Sequence, residues 1–171
     1  AHLEKFPMIF QELWLKGMKK KLGFTKSFSE DPNLLTSFLE LLKLQKVDFT
    51  LAFRKLSANI NREEFDDEFL HLFKNQNSAL SWLKDWKKRI LKEKINYLQI
   101  SKRMKKINPK YIARNHLVEK AIDEAINKND YSFTRQLLKL LRKPFVGRKN
   151  MESFSNPPNS SEVVKNTFCG T

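Results

Sequence analysis

The single cysteine of the chain stands third from the carboxyl terminus, in the sequence Thr167-Phe168-Cys169-Gly170-Thr171. Termini usually tolerate any residue, so one interpretation is a thiol without a role. The other is a thiol on an arm that reaches a partner cysteine or an active site, because an accessible thiolate is the reactive form. One cysteine cannot form a disulfide within its own chain, so any partner lies elsewhere.

Other side chains that could do chemistry form no recognisable motif. His2, His71 and His116 lack the spacing of metal ligands, and the chain contains no H-E-x-x-H, Walker loop or G-x-S-x-G sequence. His71 lies between leucines, which favours a half-buried structural histidine. We therefore predict no catalytic, cofactor-binding or metal-binding residue in this chain.

The charged residues divide into a solvated group and a structural group. The neighbouring carboxylates Glu63-Glu64 and Asp66-Asp67 point in different directions on a helix, so they indicate an acidic solvated face. Arg54 lies in a segment otherwise suited to packing, six residues after Asp48. Such an arginine often forks onto a carboxylate or a carbonyl, and here we prefer a structural ion pair to a ligand contact.

The composition is that of a globular helical protein. Of the 171 residues 40% are hydrophobic, and 14 Phe with 3 Trp can bury a core, while only 4 Gly are present. No apolar stretch approaches the roughly 20 residues of a transmembrane helix, and no signal peptide is evident. We expect no membrane partner and a cytoplasmic location, or an organellar one in a eukaryote. The start at Ala1, without Met, suggests a piece of a longer protein.

The period of the apolar residues predicts an all-α fold of seven or eight helices and no strand. The first helix runs from about Leu3 to Lys21, with Gly23 as its stop. Predicted N-caps are Asp31, Asp48, Ser78, Asn108 and Asp130, and the first and fourth of these are followed by proline. The apolar positions assigned to the helices are Phe6, Ile9, Phe10, Leu13, Trp14, Met18, Leu34, Leu35, Phe38, Leu39, Leu41, Leu42, Phe49, Ala52, Phe53, Leu56, Phe65, Phe69, Leu70, Phe73, Trp82, Trp86, Ile90, Leu91, Val118, Ala121, Ile122, Ala125, Phe133, Leu137, Leu140 and Leu141.

Composition changes after the last predicted helix, which Pro144 stops. Residues 156–161 read Asn-Pro-Pro-Asn-Ser-Ser, which is turn and loop chemistry. We therefore predict a helical domain over residues 1–142 and an extended arm over residues 143–171 that carries Cys169. Phe154 and Phe168 are expected to anchor this arm along the helical surface.

The formal net charge of +14 raises the question of nucleic-acid binding. Residues 84–110 contain eleven Lys or Arg against Asp85 and Glu93, which leaves +9 in this stretch. Trp82 and Trp86 could stack on bases, but their helical spacing favours a core position with lysines on the solvated side. We prefer the solvated face, and nucleic acid is not an expected partner.

Several strings, in order and over nearly the whole chain, resemble the C-terminal part of the selenoprotein O family (SelO, YdiU). The most specific is Asn108-Pro109-Lys110-Tyr111-Ile112-Ala113-Arg114-Asn115, which fits the family sequence N-P-K-Y-I-x-R-N. The other strings are Met18-Lys19, Lys21-Leu22-Gly23-Phe24, Asp31-Pro32-Asn33-Leu34-Leu35, Asp48-Phe49-Thr50 and Phe53-Arg54-Lys55-Leu56-Ser57. The family also places cysteine or selenocysteine third from its end, where Cys169 stands, although many members close with Ser-Ser and this chain with Gly170-Thr171.

The resemblance implies a kinase-like enzyme that transfers AMP from ATP to protein hydroxyl groups with Mg²⁺ or Mn²⁺. In that family the catalytic lysine, glutamate and metal ligands belong to a kinase-like part that precedes the region resembled here. The expected partners are thus that preceding lobe and the protein substrates of the whole enzyme, and this chain alone is expected to be inactive. The resemblance also suggests that the terminal thiol pairs with a cysteine near the metal-binding loop.

Two other functions stay open at this point. One is a stand-alone helical interaction module, and the other is a basic nucleic-acid-binding domain. Within the motif, we expect Asn108 to cap a helix beginning at Pro109, and Arg114 and Asn115 to tie that helix to a neighbouring loop.

Overall fold

The computed structural model describes residues 2–60 and 67–164, and of these the side chains of residues 2–4, 59 and 67 lie outside the description. The described residues form helices and no strand, as the sequence predicts. The helices are α1 (His2–Lys21), α2 (Asp31–Gln45), α3 (Phe49–Asn59), α4 (Asp67–Leu70), α5 (Gln76–Leu91), α6 (Tyr97–Ile107), α7 (Asn115–Lys128), α8 (Ser132–Leu141) and a 3₁₀ helix (Glu152–Ser155).

The chain forms two compact units, Ala1–Asn108 and Pro109–Thr171. This division falls directly after Asn108, the first residue of the resemblance motif. The apolar cluster of α1–α6 and that of α7–α8 share no member. The division into a helical domain of residues 1–142 and an arm of residues 143–171 stays a prediction.

Aromatic side chains fill the core of the first unit. Phe38 of α2 stacks on Trp82 of α5 with ring centroids 4.0 Å apart, and meets Phe53 of α3 edge to face. The indole N–H of Trp82 donates to the carbonyl of Leu34, and that of Trp86 donates to Leu22. Because both polar atoms are satisfied, the large rings are buried without an unpaired donor.

The helix starts follow the sequence signals only in part. Asp48 is the N-cap of α3, as predicted, and accepts from the N–H of Leu51 at 2.7 Å. Ser78 is not the cap of α5, since Asn75 takes that place and accepts from the N–H of Ser78. Both side chains can cap a helix, so the choice depends on where the chain turns.

Two more predicted caps are displaced by one residue. Glu30, not Asp31, is the N-cap of α2, and Asp31 is the first helical residue. Tyr131, not Asp130, is the N-cap of α8, although the Asp130 carboxylate still accepts from the N–H of Ser132. At Asp31 the shift has a tertiary cause, because its carboxylate is committed to a buried arginine described below.

The charged middle of the chain differs from its prediction. Phe65, Phe69, Leu70 and Phe73 were assigned to the helices, but α4 covers only four residues and includes just Phe69 and Leu70 of these. Residues 61–66, including Phe65, lie outside the described residues. Helix α6 was not predicted as a separate helix, yet Asn96 caps it by accepting from the N–H of Leu98. Leu91, assigned to the apolar side of α5, is 61% exposed.

Gly23 ends α1 as predicted, and its φ of +88° is in the left-handed region. The N–H of Phe24 donates to Lys19 and that of Gly23 donates to Lys20, which is the Schellman pattern of a helix end. A Cβ at residue 23 would lie 2.8 Å from Ile100 and 2.9 Å from Met104. Glycine is therefore required both by the turn and by the approach of α6.

The apolar face of α1 is largely uncovered within the described residues. Met18 is buried, but the other assigned positions are not. Those exposed are Phe6 (63%), Ile9 (50%), Phe10 (57%), Leu13 (60%) and Trp14 (43%). Met8 is also exposed (68%), but its spacing places it on the opposite side of the helix. The periodicity thus predicts the helix correctly, while no described residue covers its apolar face.

Asn108 ends a helix instead of beginning one. It is the C-cap of α6, and α7 begins only at Asn115, with Arg114 as its N-cap. The prediction of a helix starting at Pro109 is wrong because proline drives the residue before it into extended backbone, which suits a helix end as well as a helix start. Asn108 has φ −94° and ψ 105°.

The side chain of Asn108 is fully buried and joins three helices. Its amide N–H groups donate to the carbonyl of Lys21 at 2.9 Å and to the hydroxyl of Ser57 at 3.0 Å. The guanidinium of Arg54 donates to the carbonyls of Asn108 and Lys105. This cluster, the Asn108 junction, ties the ends of α1 and α6 to α3.

We expect Asn108→Asp to destabilise the first unit by about 2 to 3 kcal/mol, because a carboxylate cannot donate to two buried acceptors. A capping residue would tolerate the same change, since Asp and Asn are equal N-caps. Asn96→Ala removes a true cap as the control and should cost about 1 kcal/mol. Chemical denaturation measures all variants, and an Asn108→Asp protein as stable as the parent would contradict the junction.

Candidate functional site: the anchor of the C-terminal tail

The motif N-P-K-Y-I-x-R-N holds the start of the C-terminal tail. The backbone N–H groups of Lys110 and Tyr111 both donate to the carbonyl of Pro144, at 2.8 and 3.1 Å. The hydroxyl of Tyr111, whose side chain is buried, accepts from the backbone N–H of Arg148 at 3.0 Å. The motif therefore binds the chain directly after α8.

A second group of contacts holds the 3₁₀ helix of the tail. Arg114 is buried and donates to the carbonyl of Ser155 at 3.0 Å. Phe154 is 7% exposed and stacks on Phe133 of α8 with ring centroids 5.1 Å apart. Tyr111, Arg114 and Phe154 thus form a tail anchor that joins the motif to residues 144–155.

The anchor bears on several sequence predictions. Phe154 anchors the tail, and Arg114 forms the expected tie to a neighbouring segment. Asn115 is instead exposed as the first residue of α7 and makes no side-chain hydrogen bond to a described residue. Phe168 and Cys169 lie outside the described residues, so their predicted roles stay predictions.

Arg114→Ala should lower the free energy of unfolding of the second unit by about 1 to 2 kcal/mol, because it leaves a buried carbonyl without its donor. Asn115→Ala, one residue away and exposed, should change stability by less than about 0.5 kcal/mol. Thermal melts followed by circular dichroism compare the two. Equal melting temperatures for the two variants would argue against the anchor.

A buried ionic cluster in the first unit was not predicted. The guanidinium of Arg89 on α5 is 2% exposed and binds Asp31 through Nε at 2.5 Å and Glu93 through Nη1 at 2.8 Å. Phe24 and Phe28 enclose it, with ring centroids 4.2 and 4.4 Å from the guanidinium carbon. A planar cation suits this combination of carboxylates and aromatic faces.

The remaining oxygen atoms of this Arg89 cluster are satisfied as well. Glu93 accepts from the hydroxyl and the N–H of Thr25, and Asp31 accepts from the N–H of Phe28. Burial raises the pKa of Asp31, but hydrogen bonds from Arg89 and Phe28 outweigh it, so the pKa lies below its ordinary value. Burial likewise raises the pKa of Glu93, and the bonds from Thr25 and Arg89 bring it below the ordinary value. The charged groups of the cluster are therefore paired with one another and with neighbouring polar groups, as in a structural network.

The remaining candidate residues show no catalytic arrangement. Of the two acceptors considered for Arg54, a carboxylate or a carbonyl, the structure shows carbonyls, those of Lys105 and Asn108. Asp48 is the N-cap of α3. His71 is exposed, so the half-buried position predicted for it is wrong, and His116 is half-buried. Within residues 2–60 and 67–164, no three of His, Cys, Asp and Glu come together as metal ligands.

The basic stretch of residues 84–110 is divided between surface and interior. Trp82 and Trp86 are 6% and 0% exposed, as their spacing predicts, and so are not available to stack on bases. Arg89 belongs to the interior, whereas Lys84, Lys88 and Lys92 are exposed. Among the described helices none is long and apolar enough to cross a membrane.

Comparison with known proteins agrees with the resemblance of the motif. The model of a family described as protein adenylyltransferase SelO matches residues 1–142. A protein nucleotidyltransferase YdiU of Rhizobium meliloti (strain 1021) is 36% identical over 169 residues, which cover 99% of this chain and 34% of that protein. One of Bacillus cereus (strain AH187) is 33% identical over 172 residues, covering 99% of this chain and 33% of that protein.

The chain belongs to the SelO (YdiU) family, whose relatives here carry the name protein nucleotidyltransferase. It spans about a third of the length of these relatives.

Proposed function

We propose that this chain is the C-terminal helical portion of a protein adenylyltransferase, which supports a kinase-like lobe and carries a redox-active thiol. The match of residues 1–142 to the adenylyltransferase family supports this proposal most directly. The activity proposed for the whole protein is transfer of AMP from ATP to hydroxyl groups of protein substrates in the cytoplasm.

The exposed face of α1 supports a role as a buttress. Five large apolar side chains on one side of α1, Phe6, Ile9, Phe10, Leu13 and Trp14, are each at least 43% exposed. A contiguous apolar surface of this kind is typical of a face that packs against another part of a protein. We assign that part to the kinase-like lobe of the same protein, because the relatives are about three times as long as this chain.

ATP and Mg²⁺ or Mn²⁺ belong, in this proposal, to the lobe outside the chain. Hard divalent cations take oxygen ligands, mostly carboxylates and phosphates. The buried carboxylates Asp31 and Glu93 form ion pairs with Arg89. Among the described residues, no three of His, Cys, Asp and Glu come together to form a metal site. The described residues therefore do not fit the cation.

The tail anchor supports the proposed role of Cys169. Phe154 and the carbonyl of Ser155 are fixed to α8 and to Arg114, and Cys169 follows 14 residues after Ser155. A chain of 14 residues extends at most about 46 to 50 Å. The anchor therefore keeps the thiol within this distance of Ser155, which raises its effective concentration near a partner within that reach.

The first test of the proposal compares AMP transfer by the protein as its gene encodes it with transfer by this 171-residue chain. We expect the longer protein to label a carrier protein from fluorescent ATP with Mg²⁺ or Mn²⁺. We expect the chain alone not to label the carrier, because the metal ligands and the phosphate contacts that catalysis needs are elsewhere. Robust labelling by the chain alone would show that the proposed division of the enzyme is wrong.

The second test concerns the thiol. In the longer protein, two thiols release two electrons and two protons to an added oxidised glutathione, and their sulfur atoms form a disulfide. We expect mass mapping under non-reducing conditions to find Cys169 in that disulfide, with AMP transfer changed and restored by reductant. Cys169→Ser should abolish the redox response. If Cys169 stays alkylatable throughout, the switch is excluded while the adenylyltransferase assignment stands.

A further inference from the structure

A pocket on the second unit is lined almost entirely by cations. It lies on the exposed side of α8 and the segment that follows, and its volume is about 460 Å³. The lining residues are Arg135, Leu138, Lys139, Arg142, Lys143 and Arg148. Five of the six carry positive charge and none carries negative charge.

These cations lack the ionic partners found elsewhere in the described residues. Lys55 pairs with Glu68, Lys92 pairs with Glu30, and Arg89 with two carboxylates. The side chains of Arg135, Lys139, Arg142 and Lys143 make no ion pair with a described residue, and all four are solvent-accessible. Asp130, which lies near enough to Arg135 to feel its charge, is engaged with Ser132.

The position of Arg148 is fixed by the tail anchor. Its backbone N–H donates to the hydroxyl of Tyr111 at 3.0 Å, and its guanidinium donates to the carbonyl of Lys139 at 3.3 Å. The fifth cation is therefore held against the helix before any ligand arrives. Such preorganisation reduces the entropy that binding must offset.

The helix dipole does not account for the whole cluster. Cations near a helix C-terminus interact favourably with the last carbonyl groups, which explains Lys139 and Arg142 at the end of α8. Arg135 lies in the first turns of the same helix, where a cation gains nothing from the dipole, and Arg148 lies beyond the helix. Five like charges around one small pocket repel one another unless an anion binds between them.

We propose that this pocket binds an oligophosphate, a compact chain of phosphate groups such as inorganic tripolyphosphate or the triphosphate of a nucleotide. Three arginines offer planar donors that match phosphate oxygens, and two lysines add point charges. Arg135 and Lys139 lie on α8, whose residues 135–141 rise about 9 Å, and Arg142 and Lys143 follow directly after the helix end. A short phosphate chain can follow cations spaced over this length. Leu138, which is 50% exposed, provides an apolar surface within the pocket.

The test measures binding of inorganic tripolyphosphate to this chain by calorimetry at physiological salt. Lys139→Gln with Arg142→Gln should weaken binding at least about tenfold, because two of five cations are removed. The matched control, Lys102→Gln with Arg103→Gln, removes the same charge from exposed positions of α6 and should change affinity less than about twofold. All these residues are exposed, so a cooperative thermal melt of each variant without ligand should show that it folds.

Competition identifies the ligand chemistry. If the pocket recognises the phosphate chain, ATP should compete with tripolyphosphate and AMP should not. If ATP binds much more tightly than tripolyphosphate, the natural ligand is a nucleotide triphosphate and not an inorganic oligophosphate. A glutamate-rich peptide or a single-stranded RNA that binds more tightly than tripolyphosphate would overturn the proposal in favour of a macromolecule. Equal weakening by both double variants would also overturn it, because only the net charge would then matter. The proposed adenylyltransferase function is independent of these outcomes.

Discussion

Replacing Asp31 by alanine is expected to destabilise the first unit by about 3 to 5 kcal/mol. The carboxylate is fully buried, and its loss leaves the guanidinium of Arg89, 2% exposed, with Glu93 as its only carboxylate partner among the described residues. Breaking a buried ion pair from one side costs this much because an uncompensated charge stays inside the protein. Domains of this size are stable by about 5 to 15 kcal/mol, so the variant would be close to unfolding at physiological temperature.

An exposed ion pair in the same unit provides a control that tells the effect of losing a buried charge from that of losing any charge. Asp85 pairs with Lys88 at 3.3 Å, but both side chains are exposed, at 61% and 77%. Asp85→Ala should therefore change the free energy of unfolding by less than about 1 kcal/mol. Urea denaturation of both variants measures the difference, and similar midpoints would show that the Arg89 cluster contributes no more than a surface pair.

The stability contributed by this cluster should depend on pH in one direction. The folded pKa values of Asp31 and Glu93 lie below their ordinary values of 3.8 and 4.5, because the hydrogen bonds from Arg89 and its neighbours outweigh burial. The unfolded chain then binds protons more readily, so the contribution is complete above the ordinary pKa values and decreases as pH falls through the folded ones. The difference between the parent and Asp31→Ala should be constant from pH 7 to about pH 5 and should shrink below about pH 4.

The sequence predicts the parts of the fold that depend on neighbouring residues. Apolar spacing places Phe38, Trp82 and Trp86 inward, and Asp48 caps α3 because its carboxylate needs only an N–H three residues away. Asn108 shows the limit of local signals. An Asn-Pro pair is compatible with the end of one helix and the start of the next, and packing against Lys21 and Ser57 decides between them.

The buried position of Arg89 could have been predicted from its spacing along α5. Arg89 follows Trp82 by seven residues and Trp86 by three, so it lies on their side of α5, and Glu93 follows four residues later. The basic composition of residues 84–110 led to a solvated interpretation of the whole stretch. The partner Asp31 is 58 positions away, and no spacing rule connects residues that far apart.

In the tail anchor, too, one contact could be predicted from neighbouring residues and the others could not. Phe154 is predictable as an anchor because an aromatic residue in a loop-rich segment is best stabilised by burial. The bonds from Arg148 to Tyr111 and from Arg114 to Ser155 join positions 37 and 41 residues apart. Only the motif N-P-K-Y-I-x-R-N indicates that Tyr111 and Arg114 matter, and the fold supplies the reason.

Gly23→Ala is expected to destabilise the first unit by about 3 kcal/mol, although it adds a single methyl group. A non-glycine residue at positive φ costs about 1 to 2 kcal/mol, and the φ of residue 23 is +88°. The new Cβ would also lie 2.8 Å from Ile100 and 2.9 Å from Met104, both buried. Forcing a methyl group into a packed core costs about another 1 to 3 kcal/mol.

Gly17 provides the matched control, because it lies in α1 itself and a Cβ added there would have no neighbouring atom within 4 Å. Gly17→Ala should stabilise α1 by about 0.5 to 1 kcal/mol, since alanine has less conformational freedom to lose than glycine in a helix. The two substitutions are chemically identical, so opposite signs in thermal melts would assign the effect to backbone and packing at residue 23. A Gly23→Ala protein that melts at the parent temperature would mean that α1 does not end against α6 as described.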